Sequence, residues 1–317
     1  MGSYLLKRLA ASLLTAILSS IAVFLIVRAV PGDVVAQMLG QSGGSGSQAE
    51  TALRRFFGLD QPVYLQYLDW LGRALQGDLG NSWVRGQPVT EIVFKAFTVT
   101  LQLGLMTLAF ATIIGVSLGL IAGLYEGCRI DTVIQAFNIL GLSAPVFWLG
   151  LILLIAVSSL FSWSPPLIYR SPFQNLSDNL STLILPILSL GVLQAAAYSQ
   201  FTRQCVLGAF SEDYVRTALA KGLPMRTVFA KHILRNILIS LVTFMGLILI
   251  QILGGVVVIE SLFALPGLGR LLITAIETRD YPVVQGALLM VVFSALIVNL
   301  LIDMVYHLID PRVRVDQ

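Results

Sequence analysis

The residues best suited to chemistry are scarce in this chain, and their spacing points away from catalysis. Histidine occurs only at His232 and His307, and cysteine only at Cys128 and Cys205. Neither pair has metal-ligand spacing, so no zinc site, no His-Glu-x-x-His protease and no disulfide framework is indicated. No Gly-x-x-x-x-Gly-Lys-Ser/Thr phosphate loop is present, so the chain does not hold ATP by that route. No catalytic residue and no metal ligand is assigned. The concentrated charge lies elsewhere, in residues 203–236, which carry six Lys or Arg against two acids.

Within that segment, Ser211-Glu212-Asp213-Tyr214-Val215-Arg216-Thr217-Ala218-Leu219-Ala220-Lys221-Gly222 reads as a short capped helix. Ser211 is placed as an N-cap, and Glu212 and Asp213 favour the positive end of the helix dipole. Lys221 suits the negative end, and Gly222 fits a left-handed C-cap. Leu223-Pro224 then redirects the chain. A second short helix is expected over Met225 to Leu234, with Val228, Phe229, Ile233 and Leu234 apolar. The result is a basic helix–turn–helix hairpin whose apolar side chains need cover from headgroups or a partner protein. Polar side chains inside apolar runs are the other candidates, because they are costly in lipid. Asn138, Gln194 and Gln251 are the amides expected to face a solute path. Asp303 sits near one end of its run and is expected to pair with a base.

The elements that position these groups are membrane helices. The chain has 317 residues, 56% of them hydrophobic and 12% charged, and a mean hydropathy of +0.86. Soluble domains carry about 25% charged residues. A net charge of +3, with no basic cluster interleaved with aromatics, argues against nucleic acid as a partner. Apolar runs of about 20 residues must be helical to satisfy their backbone in lipid. Six are expected, over residues 9–27, 99–124, 132–160, 183–202, 237–259 and 283–308. The first exceeds the apolar core of a signal peptide and reads as an uncleaved anchor. The Lys and Arg excess of 203–236 sets that loop, and both termini, in the cytoplasm. Residues 28–98 are expected to form a helical lobe on the outer face. Within it lie a Gly/Ser linker at Gln41–Ser47, a helix over Ala49–Phe57 and another over Val63–Leu75. Gly77-Asp78-Leu79-Gly80 reads as a turn.

Tyr214-Val215-Arg216-Thr217-Ala218-(x3)-Gly222-(x9)-His232-Ile233-Leu234-Arg235-Asn236 resembles the coupling loop of ABC importer permeases, in the variant of the dipeptide/oligopeptide/nickel family. Other stretches resemble the family in the same order along the chain. These are Pro31-Gly32-Asp33, Leu59-Asp60-Gln61-Pro62, Gly77-Asp78-Leu79-Gly80, Ala144-Pro145-Val146-Phe147-Trp148, Glu260-Ser261-Leu262-Phe263-Ala264-Leu265-Pro266-Gly267-Leu268-Gly269-Arg270, Arg279-Asp280-Tyr281-Pro282 and Asp310-Pro311-Arg312-Val313-Arg314. The chain departs from the family at Ser240, where a proline is usual, and at Leu265, where tryptophan is frequent.

The resemblance implies an all-α membrane protein of type I importer permease architecture in a bacterial or archaeal inner membrane. It implies a second homologous permease, two ATP-binding subunits that hold ATP and Mg, and a periplasmic or extracellular solute-binding protein. No cofactor is expected in this chain. Tyr214, Arg216, Ala218, Lys221, Gly222, His232 and Arg235 are implied as the coupling surface for the ATPase, with Ala218 and Gly222 admitting close backbone approach. Glu260, Pro266, Gly267 and Gly269 are candidates for an outer gate, in a re-entrant or interfacial segment. The family takes up peptides, glutathione-like peptides, and nickel or metal–chelator complexes. With no His or Cys cluster for a bare metal, peptides are the first expectation and a chelated metal the alternative. A secondary transporter would leave the hairpin unexplained and would want paired broken helices, which the sequence does not show.

Overall fold

The computed structural model describes residues 2–29, 51, 60–166 and 168–309. The Pro31-Gly32-Asp33 stretch, the Gln41–Ser47 linker, nearly all of the Ala49–Phe57 helix and the terminal Asp310–Arg314 motif lie outside them. Among the described residues every regular element is a helix, beside one isolated bridge between Asn81 and Pro88. In chain order they are α1 (Gly2–Ala29), α2 (Val63–Ala74), α3 (Val89–Leu124), α4 (Arg129–Ser143), α5 (Val146–Phe161), α6 (Leu176–Ser211), α7 (Asp213–Ala220), α8 (Met225–Val228), α9 (Leu234–Gly255), α10 (Val257–Leu262), α11 (Leu268–Glu277) and α12 (Tyr281–Ile309).

Among the described residues, five helical stretches are long and apolar enough to cross a membrane: Ala10–Arg28, Val89–Leu124, Leu176–Ser211, Met225–Gly254 and Tyr281–Val305. The continuous apolar run expected over 132–160 is not one straight helix. It is α4 and α5, which meet at a 103° bend, and it makes a sixth span only if the pair is counted together. The break follows from Pro145. The residue before a proline is pushed out of the α region, and Ala144 sits at φ −80°, ψ 127°. Pro145, which has no N–H to lose, then opens α5.

The chain packs as two units, residues 1–97 with 271–293, and residues 98–270 with 294–317. In the first, α2 leans on α1. The Tyr67 and Trp70 rings lie 5.4 and 5.8 Å from that of Phe24, and the Ser20 and Tyr67 hydroxyls share a 2.9 Å hydrogen bond. The Gly77–Gly80 turn closes α2, with Asp78 N–H donating to Arg73 O, and Gly77 at φ +83°. Beyond it the buried Asp280 carboxylate accepts from Ser82 Oγ and from Trp83 N–H at 3.1 Å. Trp83 packs edge-on to Tyr281.

The second unit is organised round α6, the most deeply enclosed span. Three glycines of α3 at a spacing of four, Gly115, Gly119 and Gly123, form a small-residue stripe that lets α3 approach α6 closely. A Cβ at Gly119 would stand 2.5 Å from Ser199 O and 2.5 Å from Thr202 Cβ. On another face Gly141 of α4 meets Ala196. Tyr198 of α6 donates its hydroxyl to Leu241 O of α9, and Phe201 stacks on Phe244 at 4.2 Å. Pro186 lies inside α6 without ending it.

Candidate functional site

The hairpin forms because the polar Ser211-Glu212-Asp213 follows the last apolar turn of α6 and the chain is redirected at Gly222-Leu223-Pro224 before α9. Ser211 is the last residue of α6, and its Oγ donates back to Gly208 O rather than capping the next helix. The N-cap of α7 is Glu212, with extended backbone and no side-chain cap, a correction of one residue to the expected start. The far end is as expected. Gly222 adopts φ +78°. Gly222 N–H donates to Leu219 O at 2.9 Å and Leu223 N–H to Ala218 O at 3.3 Å. This paired closure requires a left-handed residue at Gly222. Pro224 then caps α8.

The expected second short helix does not stand alone. From Met225 the chain winds through α8, a π turn at Phe229–Ile233, and straight on into α9. The hairpin is therefore one short helix followed by the start of a long one. Its inner apolar residues are covered by the chain itself. Val215, Ala218, Val228, Ile233 and Ile237 belong to the same buried core as Tyr198 and Val206. Ala218 is 6% exposed, so its small side chain serves packing within the chain instead of approach to an outside partner. A Cβ at Gly222 would meet nothing within 4 Å, so what glycine supplies there is its backbone conformation.

The outer surface of the hairpin has a definite character. Arg216, Lys221, Arg226, Lys231, His232 and Arg235 are exposed. Arg216 reaches Asp213 only at 3.8 Å, with both side chains largely in solvent, a pair worth little. Among the bases stand three exposed apolar side chains, Leu219, Leu223 and Met225. Tyr214 is half-buried, and its hydroxyl accepts from Asn236 Nδ2 at 3.1 Å, tying α7 to the start of α9. The exposed surface of the hairpin thus mixes basic and apolar side chains.

The second cluster surrounds Glu260, which is wholly buried in α10. Its carboxylate accepts from Thr100 Oγ1 at 2.5 Å and from Arg270 N–H at 3.0 Å, and also from the Gly269 N–H. Leu268 N–H donates to Thr100 Oγ1 at 2.8 Å. The carboxylate thus caps the N-terminus of α11 from another helix, where the dipole favours negative charge. Gly267 is what lets it in: a Cβ there would lie 2.1 Å from Glu260 Oε1. Gly269 faces Val257 in the same way, at 2.7 Å from its Cα. Pro266 is exposed on the connecting loop. Arg270 Nη1 donates to Ala264 O, and Ala264 sits at φ +53°. The Pro266–Gly269 stretch is a tight corner between α10 and α11.

The three span amides part company. Gln194 is 5% exposed and Asn138 is 1% exposed, while Gln251 is exposed. Neither amide atom of Asn138 has a hydrogen-bond partner among the described residues. Two polar constellations escape sequence reasoning. Asp131 and Arg203 form a bidentate pair, with both N–O distances 2.8 Å. Gly127 N–H, at the α3–α4 turn, donates to the same carboxylate. Gln102 also accepts from Tyr169 Oη at 2.7 Å and donates to Asn179 Oδ1 at 2.6 Å. Burial pushes the Tyr169 phenol above its ordinary pKa, so it stays a donor at neutral pH. Partners 67 to 77 residues apart in sequence leave no local signal. The bases and acids themselves are visible, but their pairing is not.

Residues 115–315 match the binding-protein-dependent transport system inner membrane component family. Residues 1–104 match the N-terminal membrane component of the same transport systems. A Brucella abortus (strain 2308) protein named as a peptide transport system permease is 36% identical over 316 residues, covering 100% of both chains. The glutathione transport system permease protein GsiC of Escherichia coli (strain K12) is 37% identical over 314 residues, 99% of each chain. A crystal structure of an amino acid ABC transporter with histidines aligns at a TM-score of 0.48 and 16% identity, over 71% of this chain and 95% of that one.

Proposed function

The chain belongs to the binding-protein-dependent transport system inner membrane component family, as a multi-pass ABC importer permease of the peptide-transport kind, and we propose that it forms half of a translocation path for peptides. Its solute is delivered by an external binding protein, its other half is a second homologous permease, and its work is supplied by two ATP-binding subunits. The N- and C-termini and the hairpin face the cytoplasm. Relatives named for peptide and glutathione transport support a peptide solute over a metal chelate.

The observation that carries the coupling role is the hairpin. It is stiffened by the Gly222 closure and its own core. It joins the ends of two membrane helices, and it presents Leu219, Leu223 and Met225 together with exposed bases. An ATPase groove with an apolar floor and acidic rim fits it. Arg216, Lys221, His232 and Arg235 are the rim contacts. Tyr214 and Ala218 act from behind, holding the helix in place. Closure of the motor displaces the hairpin and rocks the attached helices, the rigid-body switching expected of alternating access. The corner built by Glu260, Pro266, Gly267 and Gly269 serves the opposite end of the path as a stiff part of the outer gate. Of the three span amides Gln251 alone is exposed, which supports it as the one that meets solute.

The test is uptake in cells lacking their own peptide systems, with this chain expressed beside its neighbouring permease, ATPase and binding-protein genes. ATP-dependent uptake of labelled di- and tripeptides, lost in Gly222→Glu while the complex still assembles, is the expected result. Uptake of chelated nickel alone would overturn the solute, and normal peptide uptake by Gly222→Glu would overturn the coupling role.

A further inference from the structure

We propose that α2 is a membrane-surface helix, seated in the leaflet at the Arg28 end of α1 with a lipid-facing stripe of its own. This goes beyond the transport reading and rests only on α1 being a membrane span.

At 3.6 residues per turn α2 divides into three stripes. Tyr67, Trp70 and Ala74 share the first, and the two rings lie against Phe24 of α1. Tyr64, Leu68, Leu71 and Leu75 share the second. Tyr64 is 66%, Leu68 57% and Leu75 81% exposed, and Leu71 is half-buried. Asp69, Arg73 and Gln76 share the third, and all three are exposed. A helix that needed only to cover α1 would have one apolar stripe. This one has a second, continuous along its length, on a face that nothing among the described residues of the first unit covers.

The depth of contact identifies what covers it. Ser20, which shares its hydrogen bond with Tyr67, is eight residues inside Arg28, or about 12 Å along the helix. Phe24 is about 6 Å inside it. The membrane run of α1 extends from Ala10 to Arg28, so α2 meets α1 below the boundary of the hydrocarbon. A tyrosine hydroxyl at that depth needs a protein partner, and Ser20 supplies it. Leu68 adjoins Tyr67 in the chain. A soluble protein would have to enter the acyl region to reach it, whereas acyl chains are there already, as they are for the exposed Leu25 and Ile26 of α1. Twelve residues make about 18 Å of helix, too short to cross a core of about 30 Å. The polar stripe runs beside the apolar one, so the helix lies in the plane, with Asp69, Arg73 and Gln76 toward water.

The test uses the full transporter in lipid nanodiscs, with Cys128 and Cys205 replaced by serine. A nitroxide is placed singly at positions 64, 68, 69, 73, 75 and 76. Collision with oxygen, which concentrates in acyl chains, is compared with collision with a water-soluble nickel chelate. Oxygen is expected to dominate severalfold at 64, 68 and 75, and nickel severalfold at 69, 73 and 76, in complexes that elute at the parent size. Nickel dominance at 68 and 75 would place the stripe in water. Low collision with both probes, with an immobilised spectrum, would place it under a partner subunit. Either outcome overturns the proposal.

Discussion

Replacing Glu260 with alanine should cost more stability than any single change on the surface of this permease. The carboxylate takes the N–H groups of Gly269 and Arg270 and the Thr100 hydroxyl in a site closed to solvent. Thr100 can rotate to another acceptor, but the two backbone donors cannot. Each buried donor left without a partner costs about 1–3 kcal/mol. The alanine also leaves a void where the side chain lay against Gly267. Relief from burying a carboxylate offsets part of this, so a net loss of about 2–5 kcal/mol is expected. That corresponds to roughly 5–15 °C of melting temperature for a chain of this size. Glu260→Gln keeps the volume and one acceptor but turns an amide NH2 toward an N–H, and should lose about half as much. The assay is a thermal melt of the purified transporter at one fixed scan rate, read by the fraction retaining its elution volume. Thr100→Val is the companion, since it removes the Leu268 acceptor and one carboxylate donor while leaving the cap in place. If Glu260→Ala melts with the parent, or above Thr100→Val, the buried cap is not what holds α10 to α11.

Other changes test other joints. Gly119→Ala places a methyl 2.5 Å from Ser199 O, and overpacking of about 1–3 kcal/mol should lower the melting temperature. Gly208→Ala, where nothing lies within 4 Å, should be neutral or slightly stabilising. Arg203→Ala strands the buried Asp131 and should cost about 3 kcal/mol. The double variant with Asp131→Asn should cost less than the sum of the two singles, read in the same melts. Arg203→Lys should recover only part, because an ammonium cannot make the two-pronged contact. At position 222, where an L-residue is strained by about 1–2 kcal/mol, peptide uptake should fall in the order Gly, Asn, Ala, Val at equal membrane levels. An order that tracks side-chain size alone, with Asn below Ala, would mean that contact rather than backbone conformation is what matters there.

Much of this was written locally in the sequence. Five of the six expected spans overlap helices that, among the described residues, are long and apolar enough to cross, because apolar length is a property of contiguous residues. Gly222 was readable for the same reason: a helix end, a glycine and a proline lie within four positions. The bend at Ala144-Pro145 was also in view, but the apolar run on both sides concealed it. Composition does not change at a proline; backbone does. The stripe of Gly115, Gly119 and Gly123 was not among the sequence expectations, and its spacing names no partner, since Ser199 and Thr202 are ordinary residues in another span. Least legible were the joints between distant residues, Glu260 with Thr100, Asp131 with Arg203, and Gln102 with Tyr169 and Asn179. Each half reads alone as an ordinary polar residue inside or at the edge of the membrane runs, and only the fold shows its partner.

Under the coupling role proposed above, those joints set how a push on the hairpin is shared. The hairpin hangs from α6 on one side and α9 on the other, and the two are fixed differently. The α6 helix is held to α3 by backbone-close packing along the glycine stripe, and to α4 by the Asp131–Arg203 pair. Close-packed backbones do not slide without a clash, and a bidentate ion pair does not shear without stranding a charge. A force on α7 therefore reaches α3, α4 and α6 as one body. The connection to α9 runs through the π turn at Phe229–Ile233, where the helical hydrogen-bond register is already interrupted. Beyond it α9 holds α6 by the Tyr198–Leu241 hydrogen bond and the Phe201–Phe244 stack, and its Ile237, Leu241, Ile248 and Ile252 share the buried core of α6. Under the coupling role proposed above, displacement of the hairpin should be taken up first on the α9 side, at the π turn where the helical register is interrupted.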